Sequence, residues 1–422
     1  MSQGIPLNDV RREGNVELPA EFERAPDMRT FTREECVSLV ERILQLSRGG
    51  GDNVVSIRSW GNGELRWARN RISMASDRRD LFVEIRRTVN GGRGHAVTNQ
   101  TDDASLAAAV LAAERLAARS PFASPRDMPV TLPKLPTPTP RLWSDATAGA
   151  TPEMRGVSAL FSAEQAEAHA MLAAGYTEAR STSIASFRWT DHHGTDQPDP
   201  GLAGHWRAQL RDDMQYVKLT QAQCSVTIRH PKGVGSGWAG LSGYEWTAIE
   251  GTRLAQQALT KCLASINPVR IEPGRYTTVL EAQAVNDLVT LILSQTVAHD
   301  AIERLDAEFG AGPFPLGEDR ALGLVRTKLG LKVVDERISI SHDPMDPLLG
   351  VAPEPGLTAV TWIDRGIFKS FNHSRQYALS TLGDNLGVPF RPAYRMSGGD
   401  TSIDEMIDTT QRGLLVLSLI HI

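Results

Sequence analysis

The alternation of apolar and polar residues predicts one helix, a block of strands and a second helix at the start of the chain. Apolar residues recur at helical spacing from 36 to 46, and Thr32 with Glu35 matches the T-x-x-E pattern of a capping box. Alternation with a period of two follows in the stretches 53–60, 63–70, 71–77 and 80–89, with turn signals at 61–63 and 90–92. An Ala-rich helix pattern over 102–120 completes an α+β domain predicted for residues 30–120.

Proline and capping residues divide the rest of the chain. Residues 121–150 begin with seven prolines up to position 140, which predicts an extended linker. Thr151 and Pro152 mark a helix start, and strand-like runs complete a middle α+β segment over 151–242. Residues 243–416 predict a β-rich domain with a hairpin turn at 364–366. The predicted fold class is α+β and multidomain, with a mixed α/β N-terminal domain and a mostly antiparallel β C-terminal domain.

Composition narrows the class of protein. Of 422 residues 41% are apolar, which is enough to bury cores, and the net charge of -5 offers no basic surface for phosphates. We therefore expect no nucleic-acid partner. No apolar run approaches the roughly 20 residues of a membrane span, and no signal-peptide pattern opens the chain. Three scattered cysteines indicate a reducing compartment, so we expect a soluble, cytoplasmic protein with no membrane association.

Histidines are the first candidates for chemistry, although the chain contains neither HExxH nor HExxxH. His192 and His193 follow Asp191 in the densest group of metal-ligand types. Neighbouring residues on a strand point to opposite faces, so we favour a solvated turn over a metal site. His299 ends a predicted helix, where the helix dipole favours it. His342 precedes a turn and is interpreted as a capping residue.

The glycine-rich stretch 230–240 is a second candidate, because backbone N–H groups in such a loop can cradle phosphate. It lacks the lysine and the following helix of a P-loop, so we favour a flexible loop. Cys224 and Cys262 lie in strand and helix patterns that suit buried thiols. Residue chemistry alone therefore identifies no catalytic centre.

Four stretches in a fixed order carry a resemblance to a known family: 68–113, 275–293, 361–383 and 394–416. Together they are similar to the TldD/PmbA family, in which PmbA is also called TldE. The resemblance covers most of the chain from Asn53 to Val416. It implies an assembly of two related subunits that acts as a metallopeptidase on peptides or unfolded segments.

The resemblance also implies where a metal would be. The TldD-like subunit carries HExxxH on the helix after a VVL strand; two histidines and a downstream cysteine hold zinc, and the glutamate is the general base. In this chain Thr290, Leu291 and Gln295 stand at those three positions, and none can replace histidine or glutamate. The chain therefore resembles the non-catalytic, TldE/PmbA-like subunit, with no cofactor of its own and zinc in a TldD-like partner. We expect the apolar residues of this helix in the core or at a subunit interface: Leu288, Val289, Leu291, Ile292 and Leu293.

The last part of the chain raises a separate expectation. Gly398, Gly399 and Asp400 precede a short helix capped by Thr401 or Ser402, and we favour a structural turn over a substrate contact. The stretch 417–422 corresponds to a translation of a transposase-based sequencing adapter. We expect it to be a non-native tail, so that this chain is truncated after Val416, the domain over 243–416 is incomplete and the natural protein is longer.

The predicted function is that of a TldE/PmbA-like subunit of a bacterial TldD/TldE-type complex for peptide processing. The predicted partners are a TldD-like metallopeptidase subunit and a peptide substrate; whether a homodimer forms where no partner is present stays open. One alternative is a self-sufficient metal-dependent hydrolase built on His192, His193 and His299. The other is a non-enzymatic regulator, which the family's gyrase-modulator label raises and the acidic pI of about 6.1 disfavours.

Overall fold

The computed structural model describes the following residues: 5–6, 11–12, 15–16, 29–47, 51–89, 92–119, 142–191, 209–294, 315–319, 324–327, 329–343, 346, 359–373 and 393–419. The chain forms two compact units. The first comprises residues 1–123 and 140–270, and the second comprises residues 124–139 and 271–422.

A seven-stranded antiparallel sheet is the centre of the first unit. The strands of this unit are β1 Ile5–Pro6, β2 Arg11–Arg12, β3 Asn15–Val16, β4 Gly51–Ala68, β5 Arg71–Val89, β6 Gly92–Thr98, β7 Leu172–Asp191, β8 Gln215–Arg229 and β9 Ser236–Gly243. The sheet order is β1-β5-β4-β7-β8-β9 with β6 beside β5, while β2 and β3 pair separately. Strands β4 and β7 lie side by side, so the predicted regions 30–120 and 151–242 contribute to one sheet.

The hairpin turn between β4 and β5 lies at Arg69 and Asn70, both with positive φ (52° and 60°). The turn predicted at 61–63 is wrong, because β4 runs straight through those residues. The side chain of Asn70 holds this turn in place through hydrogen bonds to residues about 100 positions later in the chain. Its amide donates to the carbonyl of Met171 at 3.2 Å and accepts from the N–H of Ala173 at 2.6 Å.

Two hydrophobic cores lie against this sheet. The helices are α1 Arg33–Leu46, α2 Asp103–Arg119, α3 Asp145–Ala148, α4 Pro152–Ala168 and α5 Gly251–Ala264. Helices α1 and α2 pack on one end of the long strands, and α4 and α5 pack on the other. The residues of β4 that enter the two cores share one parity, from Val55 and Ile57 to Leu65 and Trp67, so both cores cover the same face of the sheet.

The predicted helix starts are confirmed. The Thr32 hydroxyl accepts from the N–H of Glu35 at 3.2 Å, and the Glu35 carboxylate accepts from the N–H of Thr32 at 2.7 Å, which forms the capping box. These bonds lower the pKa of Glu35, the one from the Thr32 backbone most. Thr151 caps α4 through its hydroxyl, which accepts from the N–H of Met154 at 3.3 Å, and Pro152 is the first helical residue.

A buried ion pair joins α4 to the sheet between the two cores. The Arg155 guanidinium donates to Asp77 and, at 2.5 Å, to the carbonyl of Ala150. The side chains of Arg155 and Asp77 are 0% and 5% exposed. A Cβ on Gly63 would lie 2.1 Å from Arg155 Nη1, which explains a glycine in mid-strand. Burial raises the pKa of Asp77 and lowers that of Arg155. The attraction between the two charges acts in the opposite direction on both pKa values but is the smaller effect.

The described part of the second unit contains short strands and two helices. These are β10 Thr277–Leu280, α6 Ala282–Ser294, β11 Pro315–Asp319, β12 Leu324–Thr327, β13 Ile340–His342, β14 Val360–Asp364, β15 Ile367–Phe368, β16 Arg395–Met396, α7 Ile403–Thr409 and β17 Gly413–Val416. Strands β15-β14-β13-β16 form an antiparallel sheet, β11 pairs with β12, and β10 pairs with β17 in parallel. The hydrophobic core of the second unit surrounds the fully buried Trp362.

The predicted hairpin turn between β14 and β15 is confirmed. Arg365 and Gly366 have φ of 43° and 79°, which suits a two-residue turn. A Cβ on Gly366 would lie 2.5 Å from the carbonyl oxygen of Val334, so this position also needs close approach. The antiparallel strands and packed helices of the two units confirm the α+β, multidomain class. In the part of the chain that the structure describes, no helix is long and apolar enough to span a membrane.

Candidate functional site

Helix α6 occupies the place where the family resemblance puts a metal motif. Strand β10 leads into it through Glu281, whose N–H donates to the carbonyl of Val416 at 3.0 Å. The carbonyl of Glu281 accepts from Val285 at 3.0 Å and begins the helix. Thr290 on α6 is half-buried, whereas the side chain of Leu291 is 62% exposed. Gln295 lies outside the described residues.

The apolar residues of α6 fall into two sets. Val289 and Leu293 are buried in the core around Trp362, and Ile292 packs against it. Leu288 and Leu291 are exposed, Leu288 by 38%. Core packing therefore accounts for part of the predicted stripe, and an apolar pair remains on the surface of the helix.

A buried carboxylate on α6 is a feature that sequence patterns do not indicate. Asp287 accepts from the side-chain amide of Gln283 at 2.7 Å. It also accepts from the hydroxyl of Ser418 and from the N–H of Leu419, both at 3.1 Å. These two residues belong to the stretch predicted as a non-native tail. The carboxylate therefore fastens that stretch to α6.

A tyrosine also contacts α6. The hydroxyl of Tyr394 donates to the side-chain oxygen of Asn286 at 2.9 Å. Burial raises the pKa of Tyr394, with a smaller contribution of the same sign from Asp287. The nearby Thr290 hydroxyl acts on this pKa in the opposite direction. The phenol is therefore a neutral hydrogen-bond donor at neutral pH.

The glycine-acidic loop before α7 lies at the surface. Gly398, Gly399 and Asp400 are exposed, and a Cβ on either glycine would meet nothing within 4 Å. Ser402, rather than Thr401, is the N-cap of α7 and accepts from the N–H of Glu405 at 3.2 Å. The loop is a connection between β16 and a capped helix.

Of the histidine candidates, the structure describes only His342. His192, His193 and His299 lie outside the described residues. His342 is buried in β13, where its Nδ1 and the carbonyl of Ala393 are 2.5 Å apart, so the predicted turn cap is wrong. Among the described residues, no three His, Cys, Asp or Glu side chains come close enough to hold a metal ion.

The glycine-rich stretch and the cysteines have structural roles. Gly237 is the second residue of β9, and a Cβ there would lie 2.1 Å from the carbonyl oxygen of Ala258, so the glycine allows α5 to approach the sheet. The predicted flexible loop is limited to the turn at 231–234. Cys36 and Cys224 are buried, and burial raises their thiol pKa to about 12 and about 11. Such thiols are poor nucleophiles at neutral pH.

An open cleft of about 560 Å³ lies between α1 and the strands of the first unit. We call it the Trp143 cleft; its walls are residues 29–34, Trp143, Ala148, Gly149, Tyr216 and Lys218. The Tyr216 hydroxyl donates to the carbonyl of Phe31 at 2.8 Å, and burial raises its pKa to about 12. The cleft combines cationic and aromatic side chains, and no pattern in the sequence indicated it.

Two family models match the chain. The model described as PmbA/TldA metallopeptidase domain 1 matches residues 55–117, and that described as PmbA/TldA metallopeptidase C-terminal domain matches residues 273–422. The two matches together span about half of the chain. A search of curated protein sequences finds no match.

Solved structures share the fold at low sequence identity. TldE from Thermococcus kodakarensis is 17% identical to this chain, with a TM-score of 0.67, and the match covers 93% of this chain and 83% of the Thermococcus protein. Two proteins described as modulators of DNA gyrase are similar. That from Bacteroides thetaiotaomicron is 14% identical over 91% of this chain and 82% of its own (TM-score 0.65). The protein from Thermotoga maritima is 13% identical, with a TM-score of 0.64, and the match covers 92% of this chain and 82% of the Thermotoga protein.

Proposed function

This chain belongs to the PmbA/TldD family of metallopeptidases, and from that premise we propose that it is the TldE-like, non-catalytic subunit of a two-subunit peptidase. A TldD-like partner holds the zinc and supplies the general base. The assembly processes peptides or unfolded segments in the cytoplasm, and the chain pairs with itself where the partner is missing.

The side chains of α6 carry this proposal. Zinc sites of peptidases need nitrogen, sulfur or carboxylate ligands and a base beside the metal-bound water. Leu291 has no donor atom, and Thr290 offers only a hydroxyl, whose oxygen is buried. A zinc ion does not fit these two positions, so no step of hydrolysis is assigned to α6.

The exposed apolar pair on α6 supports contact with another subunit. Leu288 and Leu291 lie one turn apart and face away from the core that buries Val289 and Leu293. Apolar side chains on an otherwise polar surface favour protein interfaces. We propose that this pair contacts the TldD-like subunit.

Co-expression with the TldD-like chain of the same genome tests the assignment. We expect a complex that co-purifies and holds one zinc ion per pair. The zinc should persist when His192, His193 and His299 of this chain are all replaced by alanine. Zinc bound by this chain alone and lost in that triple variant would instead favour the self-sufficient hydrolase.

The interface is tested by Leu291→Glu in the same co-purification. The change should weaken pairing at least tenfold and leave the thermal unfolding of the isolated chain unchanged, because Leu291 is exposed. Leu263→Glu on α5 is the matched control, since Leu263 is also an exposed helical leucine, and it should pair normally. Equal pairing by both variants would exclude the α6 surface.

A further inference from the structure

The Trp143 cleft is a binding site that the proposed function does not use. It lies on the helix-covered face of the sheet, in the zone between the two cores. The N–H of Phe31 reaches the Ser59 hydroxyl there at 3.4 Å. Ser59 is the register partner of Ser183, which in turn is the register partner of Lys218. Both serines are buried, whereas Lys218 is exposed and lines the cleft.

The cleft carries an excess of positive charge. Its walls contain Arg29, Arg33 and Lys218 but only one acidic residue, Glu34. Arg29 is engaged with Glu35 at 2.9 Å. Arg33 uses one N–H to hold the carbonyl of Arg211, and a guanidinium has four more to donate.

Lys218 is the cation best placed for a ligand. Its Nζ lies 4.2 Å from the centre of the Trp143 ring, a cation–π distance. The indole is itself fixed, because its N–H donates to Asp145 at 2.7 Å. A π face leaves ammonium N–H groups available for an anion. Trp143, Phe31 and Tyr216 add apolar surface beside these cations.

We propose that the Trp143 cleft binds an acidic peptide segment, with a carboxylate on Lys218 and Arg33 and a neighbouring apolar side chain against Phe31 and Trp143. The proposal rests on the proposed function in taking a peptide as the ligand. Charge complementarity selects the acidic class, because clusters of basic side chains recognise acidic motifs. The aromatic walls distinguish a peptide from a bare anion, which has no apolar part to bury.

Fluorescence anisotropy on the isolated full chain tests the proposal. The probes are three fluorescein-labelled octapeptides with blocked ends. In each, leucine alternates with one other residue, which is glutamate in the first, glutamine in the second and lysine in the third. We expect the glutamate peptide to bind and the glutamine and lysine peptides to bind at least tenfold more weakly. Binding should weaken between 50 and 300 mM salt, since part of the attraction is screened. Citrate in excess should compete poorly, because it has no apolar part to bury, and full displacement by citrate would contradict the aromatic contacts.

The variants Lys218→Gln and Lys218→Arg separate this cleft from general attraction. Lys218→Gln should weaken glutamate-peptide binding about fivefold, the loss of one partly exposed charged hydrogen bond, and Lys218→Arg should largely restore it. Lys232→Gln, at an exposed turn, is the matched control and should bind normally. Equal affinity for the glutamate and glutamine peptides, or equal loss in Lys218→Gln and Lys232→Gln, would overturn the proposal, as would no binding at millimolar peptide. Because zinc and the partner are absent from this assay, such a result leaves the subunit assignment to its own test.

Discussion

Replacing Arg155 by methionine should lower the free energy of unfolding by about 3–5 kcal/mol at pH 7. The guanidinium is fully buried and Asp77 is nearly so, so solvent does not screen the pair. Methionine keeps the apolar part of the side chain but leaves the Asp77 carboxylate buried without a counter-ion. The carbonyl of Ala150 also loses its donor. Each loss destabilises only the folded state.

The loss in Arg155→Met should depend on pH. Burial already raises the pKa of Asp77 in the intact pair, and removal of the cation raises it further. An acid whose folded pKa exceeds its unfolded value, near 3.9, binds more protons in the folded state between these two pKa values. Stability therefore falls as the pH rises through that window. The variant should be closest to the original protein near pH 4 and furthest from it at neutral pH.

Urea unfolding followed by circular dichroism at pH 4.5 and 7.5 measures both effects. The double variant Arg155→Met with Asp77→Asn removes both charges and should lose clearly less than the sum of the single changes. Arg86→Met is the matched control, because Arg86 pairs with Glu84 at the surface (57% and 20% exposed) and should cost under about 1 kcal/mol. A loss in Arg155→Met no larger than that in Arg86→Met would refute the reasoning, as would strictly additive losses.

Three further outcomes follow from local contacts. Gly237→Ala places a Cβ against the carbonyl of Ala258 and should lower the free energy of unfolding in urea by about 1–3 kcal/mol. Gly243→Ala is its control: a Cβ there would meet nothing within 4 Å, so the loss should be under about 0.5 kcal/mol. Thr32→Ala removes the cap of α1 and should cost about 1 kcal/mol, with Thr32→Ser restoring most of it; no loss would mean that the cap is dispensable. Because burial raises the pKa of Cys36 to about 12, a disulfide reagent at pH 8 should modify it far more slowly in the folded protein than in urea, and equal rates would contradict its burial.

Features that depend on a few neighbouring residues could be predicted from the sequence. The caps at Thr32 and Thr151 and the turn at 364–366 each involve residues within four positions of one another. The α+β class follows from the same local patterns. Within the candidate site, the lack of a metal ligand at Leu291 and the weak donor at Thr290 could also be predicted, because the residue type alone decides whether a ligand atom is present.

Features that depend on distant residues could not be predicted. The turn at Asn70 is held by backbone groups of Met171 and Ala173, about 100 residues later. Gly63 resembles a turn signal in the sequence, yet it faces Arg155 from α4. The Trp143 cleft has walls from separate segments before α1, before α3 and within β8, so no single stretch carries its pattern.

The pairing of β4 with β7 has a consequence for synthesis of the chain. Trp67 pairs with Gly175 and Gly51 with Asp191, so the register partners are 108 to 140 residues apart. At about 5–20 residues per second, a ribosome needs roughly 5–30 s to supply β7 after β4 has been made. During that time one edge of β4 has no partner strand, and long-range pairing of this kind is slow to form. The nascent chain is therefore a candidate client for a chaperone that shields strand edges until the second half of the sheet emerges.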